Sequence, residues 1–522
     1  MYKSLFSVGG ITLLSRGAGF LRDVLLGAIL GAGLLNDAFV VAQRLPNHFR
    51  AIFGEGAWNA AFVPTYSHVL HSEGLQGARR FSGQIFVGLL VLQLALLALA
   101  LAFTPALIDL LAFGYRAYPE KFALTVALTR ITFPYLLLMT LVTLQSGALN
   151  AHGLFTAAAF TSVIMNVVMI GFLAVAFLFP NAAAAASWGL TVSGVLQLAL
   201  TTFAAWRAGI LERFAWPEMT PNVRRFLTTL GPAVIGSAGV QIALFTDTII
   251  ASMLPTGGPS SIYYADRIYQ LPLGVIGIAA GTVLLPRMSR FLAAGDPGGA
   301  LHAQNRTMAL SLALTAPFFV AFIMIPEFIM RGIFVRGAFT LDAADASAAV
   351  LSAYGFGIIA IVLLRSAVAS FQAVGDTRTP MLISLTAVAF NVGLKLFLFK
   401  PFGAPGLASA TAFGAWINLV LLASFAIRRG SMKPDVILWK TATCVSIASC
   451  ALAFFALLSA NPVERLAARF GHFNYLMELL LLGSGGALVY GVVMVAGLRI
   501  AGVELRPSAR AAAKSAEPPY GG

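Results

Sequence analysis

The sequence predicts an all-α polytopic membrane protein with about fourteen transmembrane helices. Of its 522 residues, 59% are hydrophobic and 10% are charged, whereas an average soluble domain is about 25% charged. The mean hydropathy is +0.87. The apolar runs are continuous and reach the ~20 residues that a spanning helix needs. They lack the strict apolar–polar alternation of an outer-membrane barrel.

The apolar runs place the predicted spans in order along the chain. Pro46 and Pro272 are predicted to interrupt the second and the eighth span, because proline removes a backbone hydrogen bond and bends the helix. The connections are too short to hold a soluble domain. The predicted spans are 6–30, 35–66, 83–112, 122–149, 156–179, 184–206, 226–253, 261–286, 308–335, 346–373, 380–400, 405–427, 440–460 and 474–498.

Lys and Arg are concentrated in one of the two alternating sets of connections, and that set includes both termini. Cytoplasmic loops carry such an excess of basic residues, so both termini are predicted to be cytoplasmic. The net charge of +14 is explained better by this bias, and by attraction to anionic membrane lipids, than by nucleic-acid binding.

Short matches at a nearly constant offset indicate an internal repeat. Segment 42–44 matches 265–267, and segment 151–153 matches 373–375. Asn166-Val167 likewise matches Asn391-Val392. Parallel repeats with substrate bound between them are a transporter architecture. The predicted organisation is a first six-helix lobe (1–215), a second six-helix lobe (216–430), two extra helices (431–500) and a cytoplasmic disordered tail (501–522).

Charged residues within or at the ends of the spans are the main functional signal. Each costs at least about 2.5–3.5 kcal/mol at the bilayer centre, so such groups are usually functional. Basic groups outnumber acidic ones in this set. Its members are Arg16, Arg22, Asp23, Asp37, Arg44, Arg50, Glu55, Arg130, Asp247, Asp266, Arg267, Arg365 and Lys395.

Two interpretations of these charges stay open. They can pair inside the bundle, most simply Arg22 with Asp23 or Asp37, or they can line a cavity. The surplus of arginine favours a cavity for a polyanion such as a pyrophosphate, since guanidinium groups bind phosphate oxygens in bidentate fashion. A cavity for cationic drugs would instead need carboxylates. Histidines at metal-ligand spacing, a phosphate-binding glycine loop and a nucleophile motif are not found, so no metal, cofactor or catalytic residue is predicted.

The charged motifs resemble those of the MviN/MurJ lipid II flippases, in the multidrug/oligosaccharidyl-lipid/polysaccharide exporter superfamily. The similar segments are Leu14-Ser15-Arg16-Gly17-Ala18-Gly19-Phe20-Leu21-Arg22-Asp23, Asn36 to Pro64, Tyr263-Tyr264-Ala265-Asp266-Arg267 and Gly375-Asp376-Thr377-Arg378-Thr379-Pro380. The resemblance covers roughly residues 1–430. The remainder of the chain matches only as two extra helices, which this family has in addition to the twelve that are usual in the superfamily.

The resemblance implies a flippase that moves lipid II (undecaprenyl-pyrophosphate disaccharide pentapeptide) across the bacterial inner membrane for peptidoglycan synthesis, by alternating access. Further expectations are cell-wall synthesis machinery as a partner and coupling of transport to membrane potential or an ion. The substrate-binding candidates are Ser15, Arg16, Arg22, Asp23, Asp37, Arg50, Glu55, Asp266 and Arg267.

Some members of this family hold sodium among helices seven, eleven and twelve. In this chain Asp247 and Asn391 are suitable ligands, but Lys395 places an ammonium where a carboxylate would help. Lys395 is therefore expected to pair with Asp247 in place of a bound cation; the alternative is that its ammonium extends to the membrane surface. The alternatives are a drug, metabolite or other polyprenyl-linked oligosaccharide exporter, a membrane enzyme acting on polyprenyl phosphates, and a scaffold of the cell-wall machinery.

Overall fold

The computed structural model describes residues 2–50 and 56–503, and within them not the side chains of 2–8, 45, 48–50, 56–57, 59–60, 235–243, 278–279 and 472. The described secondary structure is helical. The α-helices are α1 Tyr2–Leu30, α2 Leu34–Arg50, α3 Gly56–Ala102, α4 Thr104–Leu111, α5 Pro119–Thr132, α6 Pro134–Ala151, α7 Phe155–Ala174, α8 Ala182–Arg207, α9 Pro221–Ser252, α10 Gly258–Pro272, α11 Ile278–Ala293, α12 Pro297–Met324, α13 Pro326–Phe334, α14 Leu341–Gly355, α15 Ile358–Gln372, α16 Arg378–Arg428, α17 Val436–Ala467 and α18 Asn474–Ile500.

Ten helical segments within the described residues are long and apolar enough to cross a membrane. The protein is therefore an all-helical, multi-span membrane protein, as composition predicts. The segments are Ala61–Ala102, Pro119–Ala151, Phe155–Ala174, Ala182–Arg207, Gly258–Ala293, Pro297–Met324, Leu341–Gln372, Arg378–Arg428, Val436–Gly471 and Asn474–Ile500.

The predicted interruption at Pro46 is wrong, whereas the connection predicted between the second and third spans contains a break in the helix. Helix α2 contains Pro46 and continues to Arg50, whereas α3 runs from Gly56 to Ala102 through the predicted connection. Gly74 alone interrupts its helical dihedral angles (φ 70°, ψ −172°). This break lies inside the predicted connection 67–82, although the residues on both sides of Gly74 are helical.

Two other bends lie where the sequence contains glycine or proline. In α16, Gly403 has non-helical angles (φ 57°, ψ −134°) between Pro401 and Pro405. After Pro272, a π-helical turn at Leu273–Gly277 joins α10 to α11. This turn is the predicted interruption of the eighth span, since a proline in a helix leaves the preceding turn without one of its hydrogen bonds.

Several helix starts use side-chain caps that the sequence specifies. Asn181 accepts a bond from the Ala184 N–H at 2.8 Å, and Asp296 and Asp435 cap α12 and α17 in the same way at 2.7 and 2.8 Å. Such caps satisfy backbone donors that have no partner inside the helix. They place the ends of the long helices at defined residues.

The chain divides into two compact units. The first consists of Met1–Tyr264 and Phe334–Ala343, and the second of Ala265–Ile333 and Ala344–Gly522. In the first unit, α3 packs against α6 and α9. Trp58, Phe62 and Phe226 form the aromatic centre of that contact, with Trp58 and Phe226 ring centroids 5.0 Å apart. Aromatic pairs of this kind add to the stabilisation from burial.

In the second unit, α17 and α18 pack against each other, and α17 also packs on α12. Ala316, Ala448 and Leu452 are buried at this contact. The hydroxyl of Tyr490 donates a hydrogen bond to the Ala313 carbonyl at 2.7 Å. The two C-terminal helices are thus attached to the second unit through small side chains that allow close helix packing.

A short segment from the second half of the chain, Phe334–Ala343, belongs to the first unit. The Ala338 N–H donates to the Ala28 carbonyl at 2.7 Å. Gly31 (φ +69°) and Gly337 (φ +58°) lie at this contact, where an added Cβ would lie 2.6 Å from the Ala338 oxygen and 2.2 Å from the Ala28 oxygen. Glycine is required at both positions, because the two backbones touch and both φ angles are positive.

Candidate functional site

Arg22 and Asp23 form the centre of a buried polar network in the first unit. The Arg22 guanidinium donates to Asp23 Oδ1 from Nη2 at 2.7 Å and from Nε at 3.1 Å, and to Asn166 Oδ1 at 2.9 Å. The Tyr263 hydroxyl donates to the same Asp23 oxygen at 3.0 Å. Of the two partners that the sequence leaves open for Arg22, the structure pairs it with Asp23. Asn166 on α7 and Tyr263 on α10 hold the orientation of this ion pair.

Ser15 joins this network through Asn166. The Asn166 Nδ2 donates to the Ser15 carbonyl at 2.9 Å and lies 3.5 Å from the Ser15 hydroxyl. Because Asn166 lies on α7, it links α1 and α7, which pack along their lengths. The amide accepts from arginine and donates to Ser15 at once, so it fixes the guanidinium relative to the backbone of α1.

Arg16 differs from Arg22 in its surroundings. Its side chain is exposed, and within residues 2–50 and 56–503 the structure gives it no hydrogen bond or ion pair. It is separated from Asp23 by seven residues, about two helical turns, so the two lie on one face of α1. An arginine on an apolar helix with no carboxylate partner is suited to an external anion.

Asp37 lies in a separate cluster that is fully enclosed. Its Oδ1 accepts bonds from the Ser260 N–H at 2.9 Å and the Ser260 hydroxyl at 2.5 Å, and its Oδ2 accepts from the Gly257 N–H at 2.9 Å. The side chain is 0% exposed. In this conformation, substrate contact with Asp37 would require the cluster to open. Its place among the substrate-binding residues stays a prediction.

Lys121 completes the Asp37 cluster and was not among the predicted site residues. Its Nζ lies 2.6 Å from Asp37 Oδ2, with both side chains 0% exposed. The contact is an ion pair rather than an aligned hydrogen bond, and the ammonium also lies 4.3 Å from the centre of the Tyr115 ring. The Tyr115 hydroxyl donates to the Asp37 carbonyl at 3.1 Å. Cation, ring and carboxylate thus form one closed group.

The predicted site residues of α10 belong to the second unit. Asp266 and Arg267 are partly buried, and Gln270 donates a hydrogen bond to the Asp266 carboxylate. Arg50 and Glu55, predicted from α2 and the segment after it, lie outside the described side chains.

The residues of the predicted cation site are divided between the two units. Asp247 lies on α9 in the first unit, whereas Asn391 and Lys395 lie on α16 in the second. The Lys395 side chain is 4% exposed, so it does not extend along the surface of its unit. Within the described residues, groups of three or more metal-ligating side chains are not found.

The motif 375–380 forms a compact connection between α15 and α16. Asp376 accepts bonds from the Thr379 N–H at 2.9 Å and its hydroxyl at 2.7 Å, and from Arg429 Nη1 at 2.6 Å. These bonds lower the pKa of Asp376 to about 2, with the Thr379 donors contributing most and Arg429 next. The motif therefore ties the start of α16 to its end.

A family model described as the lipid II flippase MurJ matches residues 26–480. The chain belongs to the MurJ family. A probable lipid II flippase MurJ of Rhizobium meliloti is 41% identical over 442 residues, 84% of this chain and 82% of the relative. One of Rhizobium tropici is 40% identical over 437 residues, 83% and 82% of the two chains. The resemblance inferred from the motifs is confirmed.

Solved structures show that the MurJ fold extends over the chain. A lipid II flippase MurJ in an inward closed conformation has a TM-score of 0.77 at 24% identity, covering 94% of this chain and 98% of that one. An inward-facing MATE multidrug transporter of the MOP superfamily has a TM-score of 0.62 at 14% identity, covering 80% and 94%. These two likenesses concern the fold alone.

Sequence reasoning missed the residues that hold the predicted site in place. Asn166 was noted only as part of a repeat, and Tyr263 only within a family motif. Lys121 lies in the predicted connection between the third and fourth spans, where a basic residue is ordinary. A signal was present for Asn166, because a polar amide in the apolar run of α7 needs a hydrogen-bond partner. Lys121 had none, since its partner Asp37 lies far away in the sequence.

Proposed function

We propose that this chain is a flippase that moves lipid II from the cytoplasmic to the periplasmic leaflet of the bacterial inner membrane. The observation that carries the proposal is membership of the MurJ family over residues 26–480. The family consists of transporters, so the chain is a transporter rather than an enzyme. Its product, lipid II on the far leaflet, serves peptidoglycan synthesis.

The charges of the first helix support a site for the pyrophosphate. Arg22 is oriented in advance by Asp23 and Asn166, and Arg16 is exposed on the same helix. A guanidinium held in place loses less conformational entropy when it binds an anion. Arg16, Arg22 and Arg267 are proposed to bind the pyrophosphate, whereas Ser15, Asp23 and Asp266 position these arginines. Asp37, Arg50 and Glu55 complete the proposed set.

The finer architecture is also part of the proposal. It comprises fourteen spans with both termini in the cytoplasm. The bend at Gly403 supports counting α16 as two of these spans, because it divides the helix into two lengths that each suit a span, and the orientation rests on the distribution of Lys and Arg. Two parallel six-helix repeats are supported by the sequence matches. Alternation between these halves would expose the cationic site to one leaflet at a time.

A drug exporter of the same superfamily is the remaining alternative. The MATE likeness is one of fold, and it leaves the substrate open. Cationic drugs require carboxylates in the cavity, whereas Arg16 is an exposed arginine on α1. The exposed arginine therefore favours a polyanionic lipid over a cationic drug as the substrate.

The test is depletion of the protein in cells, with an assay of lipid II accessibility on the outer leaflet. Depletion should make unflipped lipid II accumulate, and re-expression should restore flipping. Arg16→Ala and Arg267→Ala should each abolish complementation while the amount of folded protein in the membrane stays normal. Arg130→Ala is a matched control, because Arg130 is an exposed span arginine outside the proposed site.

Two results would contradict the proposal at different levels. Unchanged flipping after depletion would refute the function itself. Normal growth with Arg16→Ala or Arg267→Ala would remove that arginine from the site and leave the function intact.

A further inference from the structure

The connection between α8 and α9, residues 208–220, lies along α3. It contains no helix beyond the turn at its start, and its backbone is bonded to α3 instead. The Arg79 Nε donates to the Leu211 carbonyl at 2.7 Å, and the Arg213 N–H donates to the Arg79 carbonyl at 3.1 Å. One turn further along α3, Gly83 lies directly against the Arg213 carbonyl, where an added Cβ would overlap the oxygen. Glycine is therefore required at this contact.

The connection continues along α3 as far as Gly88. An added Cβ at Gly88 would lie 3.8 Å from the Pro217 ring, an ordinary van der Waals distance. From Arg79 to Gly88 the contact covers nine residues of α3, about 14 Å along the helix. The chain then turns back, because Glu218 pairs with Arg80 at 3.2 Å. The connection thus runs out and back along one helix.

This contact spans the point where α3 changes from polar to apolar. Residues 67–82 include three charged side chains, whereas residues 83–102 include none and belong to a candidate membrane span. Charged residues flank the part of a helix that lies in lipid hydrocarbon. Gly83 is the first residue of the uncharged run and Gly88 is the sixth. The connection therefore lies at the depth of the lipid headgroups and the first acyl carbons.

Phe214 and Trp216 project from the connection away from α3. Each residue is 69% exposed, and their ring centroids lie 5.9 Å apart. Ala215 between them is half-buried, since alternate residues of an extended chain point to opposite sides. Met219 is 72% exposed. Tryptophan is enriched at membrane–water interfaces, where its ring meets both apolar and polar surroundings. Large exposed apolar side chains at this depth match a lipid interface rather than water.

The apolar surface of α8 leads to the same boundary. Trp188, Leu196 and Phe203 are exposed and recur every seven or eight residues, so they lie on one face of the helix. Helix α8 is a candidate span, and lipid covers the exposed apolar face of a span. Trp206 and Arg207, both exposed, end the helix immediately before the connection. An aromatic ring beside a basic residue is typical of the end of a span, so the connection begins at the membrane surface.

The charges of the connection suit the phosphate layer of a membrane. Its two acidic residues are held within the protein: Glu212 accepts a hydrogen bond from a glutamine of α6 at 2.7 Å, and Glu218 pairs with Arg80. The side chains of Arg207 and Arg213 are exposed. The outward charge is therefore positive. Arginine near a membrane surface extends its guanidinium to the lipid phosphates while its stem stays in apolar surroundings.

We propose that residues 211–219 form an interfacial membrane anchor, with Phe214 and Trp216 inserted among the lipid headgroups and the first acyl carbons. The partner is phospholipid of the surrounding membrane, and the exposed arginines face its phosphates. The connection joins the two proposed six-helix lobes, so the anchor holds their junction at a fixed depth while the lobes move. This inference does not depend on which substrate is transported.

The test measures the surroundings of Trp216 in the full chain, with one copy of the protein in each lipid nanodisc. The chain has six tryptophans. The contribution of Trp216 is therefore taken as the difference in fluorescence between the wild type and Trp216→Phe, which keeps an apolar ring. Phospholipids brominated near the headgroup should quench most of this contribution, whereas acrylamide in the water should quench little of it.

Two results of this measurement would overturn the proposal. Quenching of the Trp216 contribution by acrylamide alone would place the ring in water. The absence of quenching by either reagent would mean that protein covers the ring. Both results come from the wild type and Trp216→Phe, so they require no change at a packed position.

Two glycines of α3 supply a matched pair of variants, each measured against its own Trp216→Phe derivative. Gly83→Ala should push the connection away from α3, because the added Cβ would overlap the Arg213 carbonyl. The Trp216 contribution should then lose most of its quenching by brominated lipid and gain quenching by acrylamide. Gly88→Ala is the control and should leave both unchanged, since its Cβ would only touch the Pro217 ring. Lipid quenching in Gly83→Ala equal to that of the wild type would also overturn the proposal.

Discussion

The Asp37–Lys121 pair offers the sharpest test of how the first unit is held together. Both side chains are 0% exposed and lie 2.6 Å apart. Breaking a buried ion pair by removing one partner costs about 3–5 kcal/mol, because the other charge is left uncompensated. After Lys121→Met, Asp37 keeps its three bonds from Gly257 and Ser260. We expect a loss near 3 kcal/mol in the free energy of unfolding.

The reverse change should cost more. After Asp37→Asn, the Lys121 ammonium is left with the Tyr115 ring at 4.3 Å, a contact that contributes about 0.5–2 kcal/mol. We therefore expect a loss near 5 kcal/mol. The double variant Lys121→Met/Asp37→Asn removes both charges, so it should be more stable than the sum of the single changes by at least about 2 kcal/mol.

Equilibrium unfolding of the purified protein in detergent, titrated with a denaturing detergent, measures these differences. The matched control is Lys440→Met, since Lys440 is an exposed lysine that binds the Ala501 carbonyl and should change stability little. A loss below about 1 kcal/mol for Lys121→Met, or strict additivity in the double variant, would refute the reasoning.

The remaining predictions concern other charged groups. Asp23→Ala should reduce flipping less than Arg22→Ala, because Asn166 still orients the guanidinium; equal and complete loss in the vesicle flipping assay would instead indicate a structural ion bridge. Asp376 has a lowered pKa of about 2, so its contribution to stability is full above pH 4 and is lost as the pH falls towards 2. Asp376→Asn should therefore lower the melting temperature at pH 7 and flatten its change between pH 4 and 2; an unaltered melting curve argues against this. Flipping by the wild type should not depend on sodium, whereas Lys395→Ala should introduce sodium or acid dependence; sodium-stimulated flipping by the wild type would contradict the replacement of a cation by Lys395.

The class of protein could be predicted because composition and hydropathy respond directly to the bilayer. The Arg22–Asp23 pair could also be predicted, since its members are adjacent in the sequence. The enclosure of Asp37 could not, because its partners Lys121 and Ser260 lie on distant parts of the chain. Neither could the abrupt bend at Gly74, since the polar stretch around it has the composition of a longer loop but is helical on both sides of that residue. Local patterns report local structure, whereas pairings across helices depend on the assembled fold.

The backbone contact that Gly31 and Gly337 allow, between the end of α1 and the segment Phe334–Ala343, has a consequence for the order of biosynthesis. The first unit needs Phe334–Ala343, which the ribosome makes only after α10 to α13, and those helices belong largely to the second unit. The amino-terminal unit is therefore completed only after these helices are made, although domains generally fold from the N-terminus onwards during synthesis. Its helices lack this segment until about two thirds of the chain has been inserted into the membrane. Co-expressed halves divided between residues 215 and 216 would separate most of the first unit from the segment that completes it.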